Sequence, residues 1–127
     1  MKKLSNQRGA AAVELALVLP LLVMLLFGII EAGRYYNARV TLTHASREGA
    51  RVLALGGTTS EAAARVIATA GGLSGVSATP SAACPVSSAG TTTDATVTAS
   101  MPFTFNIPFV TISGGTISTT AVMRCGG

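Results

Sequence analysis

The feature that most restricts this chain is the run AAAVELALVLPLLVMLLFGII at residues 10–30, 21 residues in which Glu14 is the sole ionisable side chain. A helix needs ~20 predominantly apolar residues to cross the hydrocarbon of a bilayer. The run predicts one membrane-spanning helix and leaves enough chain for one small polar domain. Pro20 falls near its middle. The proline removes a backbone donor and crowds the preceding turn, which predicts a kink around residues 16–20. A membrane helix tolerates such a break.

Charge changes meaning once the chain is divided. Lys2, Lys3 and Arg8 are three of the nine basic residues, and all precede Gly9. Beyond Gly9 six basic side chains face five acidic ones, so the basic balance belongs to the first segment. No clustered basic face is left on the domain, and nucleic acid is not an expected partner. The two cysteines, Cys84 and Cys125, lie beyond the apolar run. An even count there points to a disulfide in an oxidising compartment, against the alternative of two unrelated buried thiols. His44, the single histidine, is far upstream of them, so no metal site is expected.

A secretory signal has a basic start, 7–15 apolar residues and a cleavage site after them. Here the apolar run is too long, and the break comes before it, at Arg8-Gly9. A cut there would leave the hydrophobic helix on the mature chain. Glu14 lies one helical turn beyond the α-amine that such a cut would create at Ala10. A carboxylate in hydrocarbon costs several kcal/mol unless it is paired or reaches water. Two readings follow. Glu14 pairs with the amine of its own or a neighbouring chain, or it sits close enough to the headgroups to stay wet.

Arg8-Gly9-Ala10 with Glu14 at the fifth position after the glycine resembles the processing site of type IV prepilins. The stretch AAAVELALVLPLLVMLLFGIIEAGRYYNARVTLTHASREGAR is similar to the TadE-like pseudopilins of tight-adherence (Tad/Flp) pili. TISTTAVMR at 116–124 looks like the closing strand of that family. The resemblance implies cleavage after Gly9 by a prepilin peptidase and a register role for Glu14 on assembly. Its implied partners are the peptidase, other pilin subunits and the Tad inner-membrane assembly platform. It also implies an N-terminus inside the inner membrane and the domain outside, which the charges flanking the run do not decide by themselves. The polar domain is longer than the family's short major pilins carry, which favours a minor pilin. The reading of a different class is an uncleaved single-span envelope protein that acts as an assembly scaffold.

Past the run, Tyr35, Ala38, Leu42, Ala45, Gly49 and Val52 recur at spacings of three and four, opposite polar Arg34, Asn37, Thr41, His44, Glu48 and Arg51. This predicts that the helix continues as an amphipathic rod to Gly56-Gly57. Tyr35 and Tyr36 suit a membrane–water boundary. Arg34 and Arg39 would meet lipid phosphates or solvent. Thr58-x-x-Glu61 has capping-box form before AAARVIATA, a short second helix. The period then changes to two: a weak strand at 72–79, a clearer one at 95–103 and another at 117–123. The class is α+β, with a long kinked helix laid on about three antiparallel strands. The expected divisions are a leader at 1–9, a membrane and filament-core helix at 10–30, a helical extension at 31–56 and a small extracytoplasmic domain at 57–127.

Between the last two strands, PFTFNIPFVTISGG at 102–115 is expected to be a loop, and an unusually apolar one. Either its side chains fold back over a small core, or Phe103, Phe105 and Phe109 form a contact surface for a partner subunit or the membrane. No catalytic set is legible. Residues 56–127 hold four charged side chains, Glu61, Arg65, Asp94 and Arg124, too few for paired acid–base work. The glycine pairs lack phosphate-loop spacing. No enzyme and no cofactor is expected, and the chemistry is performed on this chain by a peptidase.

Overall fold

Helix α1 (Leu4–Ala54) is one continuous rod of 51 residues. At 1.5 Å per residue it is about 77 Å long. The structure, a computed structural model, describes residues 4–85, 93–108 and 110–126, with side chains from residue 9 onward. Phe109, one of the three expected surface phenylalanines, lies outside the described residues. Pro20 is inside α1, and the helix is unbroken across it. Its ring nitrogen cannot donate, so the Ala16 carbonyl lacks its helical partner.

The rod stops at glycine, as expected. Gly56 takes φ +87°, a conformation that favours glycine. Gly57 N–H donates to the Val52 carbonyl at 2.9 Å and Gly56 N–H to the Leu53 carbonyl at 3.0 Å. These two bonds form a Schellman cap that satisfies the helix's last carbonyls. Thr58 then starts α2 (Thr59–Thr69) with both halves of the capping box formed.

The sheet follows as β1 (Ser77–Pro80), β2 (Asp94–Ile107) and β3 (Val110–Arg124), in spatial order β1-β2-β3 and antiparallel throughout. The α+β class is as expected, but the strand lengths differ from the sequence reading. The first strand is shorter than 72–79, because residues 71–76 are turn and Gly75 takes φ +72°. The supposed loop at 102–115 is not a loop. β2 and β3 run through it as a long hairpin, with Ile107 paired to Val110.

Two apparent breakers explain the error. Pro102 is tolerated because β1 pairs only with residues 97–100, so β2 is already a sheet edge on that side by residue 102. Gly114 and Gly115 are a β-bulge rather than a turn: two residues of β3 oppose Phe103 between the Pro102–Thr116 and Thr104–Ser113 pairs. Gly115 supplies the positive φ of +80° there.

The sheet lays one face on α1. Ala95, Val97, Ala99, Met101 and Phe103 of β2, with Ile117 and Ala121 of β3, are buried against Ala38, Leu42, Ala45, Ala50 and Leu53 of the helix. Ala62, Val66 and Ala70 of α2 complete the core. Nine of the sixteen buried apolar residues are alanine, so helix and sheet approach closely. Gly49 shows how closely. A Cβ at that position would meet Val66 Cγ2 at 2.5 Å, the Ala62 carbonyl oxygen at 3.2 Å and Val97 Cγ1 at 3.3 Å. The buried stripe is wider than the sequence pattern, since Ser46, Ala50 and Leu53 join it. The reason is that α2 and the sheet cover adjacent sides of the same helix.

Candidate functional site

No other part of the fold buries the N-terminal half of α1. From Val13 to Ile30 its large apolar side chains are exposed, Phe27 alone being partly covered. Water would not tolerate such a surface around the whole helix, whereas hydrocarbon or neighbouring apolar helices would. It is also the one helix among the described residues long and apolar enough to cross a membrane.

Gly9, Ala10 and Glu14 lie within this exposed segment, and a Cβ at Gly9 would meet nothing within 4 Å. Ala10 and Glu14 are four residues apart and so share one helical face. Glu14 is exposed. The fold therefore offers these three residues outward and engages none of them internally.

At the boundary of the apolar run the fold holds a charged pair that the sequence pattern did not single out. Glu31 is buried, and Arg34 Nη1 donates to Glu31 Oε1 at 2.6 Å. The second carboxylate oxygen, Oε2, is buried without a hydrogen-bond partner. The Arg34 guanidinium also lies over the Phe103 ring, 5.9 Å from its centroid. Arg34 is nearly half exposed, as the solvent reading expects, and its guanidinium also pairs with Glu31 and covers the Phe103 ring. The i, i+3 spacing of Glu31 and Arg34 was visible in the sequence, but the burial of Glu31 and the Phe103 ring beneath Arg34 were not.

Phe103 is buried and meets Tyr35 edge-on at 5.4 Å and Phe105 edge-on at 5.1 Å. It is a core residue, so it offers no open contact surface, and Phe105 is partly buried beside it. A Cβ at Gly114 would come within 2.7 Å of the Phe105 ring and 3.1 Å of the Phe103 ring. That glycine is the floor on which both rings rest. The exposed large apolar residues at the hairpin's tip are instead Ile107, Val110 and Ile112.

Cys84 and Cys125 are joined in a disulfide with Cα atoms 5.6 Å apart. The bond ties the segment after β1 to the end of β3, across the two edges of the sheet. Gly126 N–H donates to the Ala54 carbonyl at 3.1 Å, which fastens the same corner to the end of α1. His44 is exposed. Among the described residues no cluster of His, Cys, Asp and Glu could hold a metal ion.

Residues 9–51 match the family model described as TadE-like protein, 43 of the chain's 127 residues, and over this helix the chain is similar to that family. The match begins at Gly9 and ends three residues before α1 does. No curated protein and no solved structure matches the chain. The TadE-like family is structural rather than enzymatic, and together with the one apolar helix it supports a single membrane crossing.

Proposed function

We propose that this chain is a minor pilin of a Tad-type pilus, anchored by residues 10–30 and cut after Gly9 by a prepilin peptidase. The observation that carries the reading is a TadE-like match starting at Gly9 on a helix whose first half is exposed on every side. Hydrolysis of the Gly9–Ala10 amide frees the leader as a carboxylate and leaves an α-amine on Ala10. That amine and Glu14 share one helical face. In hydrocarbon an ammonium and a carboxylate are each costly alone and favourable when paired. Contact between the Ala10 amine of one chain and Glu14 of its neighbour sets the axial register as apolar helices pack side by side. The 31–54 half of α1 belongs to the domain's core and carries the domain at the end of the apolar segment.

The N-terminal residue of membrane-purified protein tests this reading. Ala10 is expected, and Met1 from cells with an active peptidase would overturn it. Glu14→Ala is expected to be cleaved yet absent from sheared fibres. Normal fibre incorporation of that variant would remove the pairing role while leaving cleavage intact.

One observation favours a second reading, that of an uncleaved single-span scaffold. α1 begins at Leu4 and passes through the Gly9–Ala10 bond as unbroken helix. A peptidase working on this bond has to unwind the first turns, which Gly9 makes easier.

A further inference from the structure

The β2–β3 hairpin runs alongside α1 toward the apolar segment, and the contacts give its position along the helix. Gly126 is bonded to Ala54, Val97 lies beside Gly49, and Phe103 meets Tyr35. From Val97 to Phe103 the strand advances about 20 Å at ~3.3 Å per residue. From Gly49 to Tyr35 the helix covers about 21 Å at 1.5 Å per residue. Strand and helix are therefore nearly antiparallel over this length. Four more strand residues carry Ile107 about 13 Å further, to the level of residue ~26 on α1. That is roughly 6 Å inside the apolar run, which ends at Ile30.

The hairpin's end is two-faced, and the bulge makes it so. Side chains alternate along a strand, and on β3 the core face carries Ile117 and Ala121, both odd positions. The extra residue at Gly114–Gly115 shifts the parity, so Ile112 lies opposite Phe105 and Val110 opposite Ile107. Phe105, Ile107, Val110 and Ile112 thus share the core-side face, and Thr104, Asn106, Thr111 and Ser113 take the other. Ile107, Val110 and Ile112 stay 37%, 55% and 48% exposed. No ionisable side chain occurs anywhere in residues 95–123.

We propose that this apolar face of the hairpin tip seats in the surface of the bilayer that α1 crosses, as a second, shallow membrane contact. The inference rests on the single-span reading of α1. Its occupant is lipid because the strand and helix rises bring the tip about level with Leu25, Leu26, Ile29 and Ile30, which are themselves exposed. Whatever medium covers those helix residues covers the tip. The depth is self-limiting: the open edges of β2 and β3 keep unpaired backbone groups that need headgroups or water. An interfacial depth of roughly 5–10 Å meets both demands. The contact holds the domain against the membrane at a fixed tilt, and extraction of the helix breaks it.

The chain has no tryptophan, so single substitutions report their own surroundings. The full chain, with its disulfide verified intact, is placed in phosphatidylethanolamine/phosphatidylglycerol vesicles with or without brominated acyl chains. Val110→Trp and Ile112→Trp are expected to lose about half their emission to brominated lipid, as tryptophan at a membrane interface would. Thr111→Trp, on the opposite face, and Val122→Trp, at the far end, are expected to stay open to acrylamide. Leu22→Trp in the span is quenched by brominated lipid if α1 crosses the bilayer. If Leu22→Trp is quenched and the two hairpin positions are not, the hairpin contact is wrong and the span stands. If Leu22→Trp is also unquenched, the single-span reading falls, and the hairpin contact with it. Hairpin positions shielded from acrylamide but blind to bromine would mean that a second copy covers them, which also overturns the proposal.

Discussion

Glu31 and Arg34 stand one turn apart on α1, joined at 2.6 Å, with Glu31 buried and Arg34 nearly half exposed. The buried carboxylate has this guanidinium as its charge partner, and the same guanidinium covers the Phe103 ring. Removing the arginine leaves a buried charge without compensation, whereas removing both charges leaves only a packing change. Arg34→Ala is expected to destabilise the folded domain by about 1–3 kcal/mol. Glu31→Gln should cost less, and Glu31→Leu with Arg34→Leu should recover most of the loss. Thermal unfolding of the full chain in detergent, followed by near-ultraviolet circular dichroism, measures all three.

The capping box of α2 gives the domain an acid limit. Thr58 N–H donates to Glu61 Oε2 at 2.8 Å, and the Thr58 hydroxyl lies 2.9 Å from the same oxygen. Glu61 N–H donates to Thr58 Oγ1 at 3.2 Å. The bonds from Thr58 hold the Glu61 carboxyl below its ordinary value of 4.5. A lowered folded pKa means that the ionised form binds its surroundings better in the fold than in the unfolded chain. The stabilisation is therefore present above 4.5 and is lost as pH falls through the lower folded value. The melting-temperature difference between the parent and Glu61→Gln should be largest at neutral pH and shrink below that value. Thr58→Ala removes the hydroxyl but keeps the backbone N–H bond, the larger cause of the shift, so it should weaken the same pH dependence without abolishing it.

The disulfide closes a loop of 41 residues in sequence separation. In the chain-entropy treatment its removal costs roughly 4 kcal/mol. Cys84→Ser with Cys125→Ser should lower the denaturant midpoint accordingly and free the corner where Gly126 meets Ala54. Urea unfolding of parent and double variant, each in detergent, checks the size. Hydrogen exchange at Gly126 checks the location.

Gly49 lies where α2 and β2 both press on α1. Gly49→Val is expected to cost at least about 1–3 kcal/mol through overpacking, because the Ala62 carbonyl behind Val66 is backbone and cannot swing aside. Gly33, where a Cβ would meet nothing within 4 Å, is the control on the same helix. Gly33→Ala should be neutral or slightly stabilising, since alanine is the better helix former. Parallel thermal melts of the two variants decide the comparison.

Local patterns made much of this protein legible before any coordinates. Residues 10–30 announce a span because apolar length is all a bilayer asks of a helix. The 35–52 stripe, the Thr58/Glu61 cap and the alternation at 95–103 and 117–123 are short-range patterns, and each reappears in the fold at its place. That Ala10 and Glu14 share one helical face is readable from spacing for the same reason, while the roles proposed for Gly9, Ala10 and Glu14 come from the resemblance. The hairpin was illegible because Pro102 and Gly114-Gly115 are breakers only until one knows which strand neighbours are present. β1 ends before Pro102 and frees that edge, and the bulge turns two glycines into a change of parity. The burial of Phe103, the enclosure of Glu31 and the height of Ile107 beside α1 depend on chain segments some seventy residues apart meeting face to face. No local period encodes such a meeting. It follows from the one way in which sheet and helix both hide their apolar sides.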